Sequence, residues 1–160
     1  IPEWIRTGAV DFGFISPAAA PDLETIPIKD GEMLAVLPKT HPLAGSFRVP
    51  LKELTKEPFI LLEEGHFSEP INAFQEKGLE PNIKYTIHDD YAIMTMVEAG
   101  LGVSILAELM LRRTNFQIAC LPIEPPVYRS LAVGYKDKDS MPIASKYFIE
   151  YLLANKELLP

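Results

Sequence analysis

The sequence lacks most features that mark a reactive centre. It has a single cysteine, Cys120, so no internal disulfide framework can form and a reducing cytoplasm is the expected compartment. Cys120 sits between Ala119 and Leu121 with no basic neighbour to lower its pKa, and it reads as core rather than nucleophile. The three histidines, His41, His66 and His88, fall at no metal-ligand spacing, so no metal site is expected. The patterns G-x-S-x-G, G-x-x-x-x-G-K and G-x-G-x-x-G are all missing. Gly100-Leu101-Gly102 follows a helical pattern instead of preceding one, which makes it a helix stop and turn. No catalytic residues and no cofactor are therefore expected. No apolar run approaches the roughly 20 residues that span a bilayer, and no basic, apolar and cleavage-site pattern opens the chain.

Positive charge is also scarce. The net charge is −7 at pH 7, and Lys29, Arg48, Lys52, Lys56, Lys77, Arg112, Arg113 and Lys136 are dispersed along the chain. A duplex presents one negative charge per ~1.7 Å, so this chain is a poor candidate for direct DNA contact.

What is present is an ordinary globular balance: 160 residues, 48% hydrophobic, enough for one domain or two small lobes. The opening residues, Ile1 to Gly8, read as the last turns of an amphipathic helix closed by glycine, and a longer parent chain is expected. Short apolar or alternating runs then predict strands at 10–15, 23–28, 33–38, 58–62, 83–87, 103–106, 116–121 and 130–135. Between them, helical patterns place Leu51 to Leu54 on a short turn. Ile71 and Phe74 share one helix face, and so do Ile93, Met96 and Val97. The last helix begins near Pro142 and carries Ile143, Tyr147, Phe148, Tyr151 and Leu152 on one stripe. Strands alternating with helices predict an α/β fold of parallel sheets packed by helices.

Open sheets of that kind bind ligands beyond the carboxyl ends of their strands. The rule selects the polar loops at 15–17, 63–68 and 88–91. The segment from Glu64 to Glu69 is the most suggestive. Gly65 permits a tight turn, and Ser68 is placed to cap a helix whose free amides and positive dipole end suit a carboxylate ligand, although Glu64 and Glu69 nearby argue against a highly charged anion. Phe67 can supply an apolar wall and His66 a donor that titrates near neutrality. The pairs Glu63-Glu64 and Asp89-Asp90 read as solvated loop carboxylates and helix-capping carboxylates, not as an acid/base pair.

Four segments, taken in order, resemble a known family. Gly8-Ala9-Val10-Asp11-Phe12-Gly13-Phe14 opens the series, and His41-Pro42-Leu43-Ala44 follows a strand. Leu51-x-x-Leu54 then leads into Pro58-Phe59-Ile60. Met96-Val97-Glu98-Ala99-Gly100-Leu101-Gly102-Val103-Ser104-Ile105-Leu106 completes it. The order and intervals are similar to those of the effector-binding domains of LysR-type transcriptional regulators. One departure is Ala107, where the family usually has proline.

The resemblance implies two Rossmann-like lobes joined by two crossovers, like type 2 periplasmic binding proteins. Lobe one would hold 1–30 and 130–160, with its upstream elements missing, and lobe two 31–129. It further implies a small-molecule effector bound between the lobes at Ser16, Gly65, His66, Phe67, Ser68, Asp90 and Arg129. The implied partners are a second copy in a homodimer or homotetramer, and DNA only through a winged helix-turn-helix upstream of this chain. Cytoplasmic location without membrane contact follows from the same likeness. A solute-binding protein of a transport system shares the fold and is the alternative.

Overall fold

In this computed structural model residues 1–65, 67–112 and 115–159 are described. They divide into two compact units, Ile1–Gly31 with Ser130–Pro160, and Glu32–Arg129.

In the first unit, helix α1 (Pro2–Thr7) ends at Gly8, whose φ of 75° is left-handed and lets its amide return to the carbonyl of Ile5. Ile5 is the buried residue of that helix and packs with Ile15, Ala20 and Leu23. Strand β1 (Phe12–Ile15) lies antiparallel to the end of β7 (Ile118–Tyr135), with Phe12 opposite Tyr135 and Ile15 opposite Ala132. The last helix, α6 (Ile143–Ala154), contributes Ile149 to a small core with Ile28, Val133, Tyr135 and Met141.

The aromatic stripe of α6 is not its core face. Ile143, Tyr147 and Tyr151 are exposed, and Phe148 is half exposed while stacking on Phe12 at 5.4 Å. The helix is apolar on more than one side, so periodicity alone offers two candidate faces, and Ile149 with the partly buried Leu152 and Leu153 takes the inner one.

Four of the expected strands are halves of two longer ones. The runs at 23–28 and 33–38 form one strand, β2 (Glu24–Pro38), and those at 116–121 and 130–135 form β7. The polar stretch Lys29 to Glu32 imitates a turn in sequence. Its backbone stays extended because β2 carries the chain from one unit into the other. The sheets are also mixed instead of parallel. Strands β4 (Pro58–Leu62) and β5 (Asn82–Ile87), linked by helix α3 (Glu69–Glu76), run parallel, as do β3 (Val49–Pro50) and β7. Strand β6 (Ser104–Ala107) pairs antiparallel with β2, as β1 does with β7. A helical crossover returns the chain to the same end of a sheet and so enforces parallel neighbours, whereas the two strands that pass between units are free of that constraint.

In the second unit the family motifs acquire physical roles. His41 folds back so that its Nδ1 accepts from the amide of Leu43 at 3.1 Å, which leaves Nε2–H to face Glu57 at 3.3 Å. Leu43 then packs on the cluster containing Met33, Leu37, Leu51, Leu54, Phe59 and Phe74. Helix α4 (Asp90–Glu98) stops at Gly100, φ 76°. Two residues on, a Cβ at Gly102 would lie 2.4 Å from the carbonyl oxygen of Pro58, because Val103 and β4 exchange backbone hydrogen bonds at 2.8 and 2.9 Å. The first glycine of G-x-G is therefore needed for its backbone angle and the second for close approach. Ser104, fully buried, donates to the carbonyl of Ile60 at 2.7 Å. Ala107 adopts φ −64°, ψ 134°, the region a proline would occupy, so the departure leaves the entry to α5 (Glu108–Leu111) undisturbed.

The helix faces are shifted slightly from expectation. On α3, Phe74 is fully buried with Pro70, while Ile71 is half-buried. On α4, Ile93, Met94 and Val97 are buried, and Met96 packs at the edge of their cluster. Among the described residues no helix is long and apolar enough to cross a membrane.

Candidate functional site

Strand β4 ends at Leu62 and feeds the loop that contains Glu64, Gly65, Phe67 and Ser68. Gly65 has φ 114°, a backbone region closed to most side chains, so the sharp turn there depends on glycine. Ser68 is the N-cap of α3, and its hydroxyl accepts from the amide of Ile71 at 3.4 Å. Asp89 caps α4 in the same way and more tightly, accepting from Ala92 at 2.7 Å. Asp90, one residue into the helix, is left free of capping duty. Phe67 is half-buried beside the cap. His66 lies outside the described residues.

Arg129, the last residue of the second unit, is the centre of this region. Its Nη1 donates to Glu64 Oε1 at 3.1 Å and its Nη2 to Glu69 Oε2 at 3.0 Å, with Nη2 also against Glu64 Oε2. The Glu69 side chain is 9% exposed, that of Arg129 24% and that of Glu64 40%. Glu64 is thus a chelating partner of Arg129 and not simply a solvated loop carboxylate. Two buried polar atoms, Glu69 Oε1 and Arg129 Nε, have no hydrogen-bond partner among the described residues. In a folded protein such orphans are uncommon and call for an explanation.

The charges of the region are unbalanced. Burial opposes the charge of Arg129, but its hydrogen bonds to Glu64 and Glu69 more than offset that, so its pKa lies above the ordinary value. Asp90 is pushed the other way for a carboxylate: burial raises its pKa, the charge of Glu64 adds to the rise, and Arg129 only partly opposes it. A carboxylate whose folded pKa is raised destabilises the fold above that pKa, and the penalty disappears as the pH falls toward the unfolded value. Replacing Asp90 by Asn is therefore expected to raise the urea midpoint at neutral pH. It should also flatten the stability curve just above the ordinary carboxylate range. A lower midpoint at neutral pH would show that Asp90 is a stabilising helix-start charge instead.

Of the residues selected from sequence, the structure places Gly65, Phe67, Ser68, Asp90 and Arg129 in the second unit, the first four on a loop or at helix starts and Arg129 within strand β7. Ser16 belongs to the first unit, where it precedes the 3₁₀ turn Pro17–Ala19. The sequence reading did not select Glu64 and Glu69 as site residues. Their partner is 65 and 60 residues away, and no local pattern announces such a pairing.

Comparison with known proteins identifies the family and the fold. A sequence model described as the LysR substrate binding domain matches residues 1–157. The chain is 31% identical over 154 residues to the uncharacterized HTH-type transcriptional regulator YnfL of Escherichia coli K12, covering 92% of this chain and 52% of that protein. It is 28% identical over 152 residues to the uncharacterized HTH-type regulator YvbU of Bacillus subtilis 168, covering 94% and 52%. Among solved structures, the regulatory domain of CcmR from Synechocystis PCC6803, in complex with 2-PG, superposes with a TM-score of 0.84 at 22% identity, over 99% of this chain and 79% of that one. The class is an effector-binding α/β domain of the type 2 periplasmic-binding-protein kind. The chain belongs to the LysR substrate binding domain family, and it spans about half the length of the curated relatives it matches.

Proposed function

We propose that this chain senses a small molecule on behalf of a LysR-type transcriptional regulator, whose DNA contacts are made by another part of the whole protein. The observation that carries this reading is the cluster of Arg129 with Glu64 and Glu69, beside the loop of Gly65, Phe67 and Ser68 and within electrostatic reach of Asp90, in which two buried polar atoms lack partners among the described residues. His66 and Ser16 join the proposed contact set on the family resemblance. Relatives named as HTH-type regulators favour this reading over a transport protein. The CcmR domain, of the same fold, was solved with a small molecule bound.

A ligand moves such a regulator only through its different affinity for two arrangements of the protein, and binding then shifts their populations. In a cytoplasmic homodimer or homotetramer that shift would reset the spacing of the DNA-binding parts. No cofactor or metal enters the scheme.

The test uses the full-length regulator. A thermal-shift screen of small metabolites should reveal compounds that raise its melting temperature, by about 2.7 kcal/mol of added stability at a hundredfold excess over Kd. A true effector should also change the mobility of the protein–DNA complex. Ser68→Ala should weaken the response; a response of undiminished affinity in that variant would remove Ser68 from the site. A screen without any stabilising compound would remove the sensor reading itself.

A further inference from the structure

The site is built around negative charge. Glu64 and Glu69 engage the two terminal nitrogens of the Arg129 guanidinium, and Asp90 lies within electrostatic reach of both Glu64 and Arg129. An anionic ligand would have to displace Glu64 from Arg129 and then sit beside Asp90. We propose that the second unit selects a ligand carrying a protonated amine, received by Glu69 and Asp90, with a neighbouring oxygen on the ligand accepting from Arg129 Nε. The inference rests on the sensor reading and gives it a ligand chemistry.

Three observations converge on it. Glu69 Oε1 belongs to a side chain only 9% exposed and has no donor among the described residues, so it is an acceptor that a ligand donor could satisfy. An ammonium offers three donors and no acceptor, which fits a cluster of carboxylate oxygens. The second orphan, Arg129 Nε, asks for the opposite kind of group, an acceptor. An amine with an adjacent hydroxyl, carbonyl or carboxylate oxygen satisfies both, as in an amino acid, an amino alcohol or an amino sugar. A polyol could meet the hydrogen bonds but would leave the excess charge in place. The pKa of Asp90 is raised first by burial, and the charge of Glu64 adds to the rise.

The experiment measures thermal shifts of the full-length protein with cadaverine, ethanolamine, lysine and glucosamine, and with pentanediol, ethylene glycol, glutarate and glucose as uncharged or anionic counterparts. At least one amine should give a saturable rise that its counterparts do not. Glu69→Gln should weaken that amine about tenfold or more, the usual loss for one charged hydrogen bond. Asp90→Asn, a change expected to strengthen the unliganded fold, should also weaken the amine, which keeps the test decisive if Glu69→Gln folds poorly. Stabilisation confined to glutarate, the diols or glucose would overturn the charge assignment and leave the sensor reading standing. An amine response unchanged in both variants would place binding elsewhere and overturn it equally. Silence of the whole panel, beside a positive metabolite screen, would do the same.

Discussion

Replacing Phe74 by alanine is expected to destabilise the second unit by about 3–5 kcal/mol, the range for removing a buried aromatic from a packed core. Phe74 has no exposed surface, and its ring meets that of Phe59 edge-on, with centroids 5.5 Å apart at 89°. Phe59 is equally buried, on β4, so the pair fastens α3 to the strand that precedes the site loop. Such an aromatic pair adds about 0.5–1.5 kcal/mol beyond its area. Urea denaturation should show the midpoint falling with an unchanged slope, and Phe74→Leu should lose much less because it fills most of the space. A loss below about 1 kcal/mol for alanine would contradict the packing described. The substitution also reaches the site, since the start of α3 presents Ser68 and Glu69.

Removing Arg129 is expected to have the next largest effect, and for an electrostatic reason. Arg129→Met leaves Glu69 buried and unpaired, and breaking a buried ion pair from one side typically destabilises by about 3–5 kcal/mol. The lower part of that range applies, because the Glu64 arm of the cluster is 40% exposed and is screened by solvent. The double variant Glu69→Met with Arg129→Met should recover most of the loss, since two apolar side chains carry no stranded charge. Equal losses in the single and double variants would mean that the pair is not coupled as drawn. Ligand response should vanish in both, which separates the structural role of the pair from its role in binding.

These two residues differ in how visible they were in the sequence. Phe74 is announced by helical spacing from Ile71 and by Ser68, whose hydroxyl is read as a cap and becomes one. The glycines at 65 and 100 are likewise legible, since such turns have few alternatives to glycine. Even the histidine of His41-Pro42-Leu43-Ala44 does its work within three residues, by accepting the amide of Leu43. Arg129 was selected through family resemblance alone, and nothing near it in the chain names Glu64 or Glu69.

The misreadings have a common cause as well. Lys29 to Glu32 carries the composition of a turn, but an extended backbone needs only hydrogen-bond partners, and those are supplied by strands distant in sequence. The last helix has apolar residues on two sides, and its inner side was decided by where Ile28, Val133 and Tyr135 left room for Ile149.

By itself, then, the sequence determined most of the helices and shorter strands of this protein, its capped helix starts, the glycines that close its turns and the family to which it belongs, because the caps and turns are governed by interactions between close neighbours in the chain. Only the tertiary structure decided the continuity of β2 and β7, the inner face of α6, the close approach of Gly102 to Pro58 and the gathering of Glu64 and Glu69 around Arg129. Those depend on contacts between residues far apart in sequence, whose geometry no local pattern encodes.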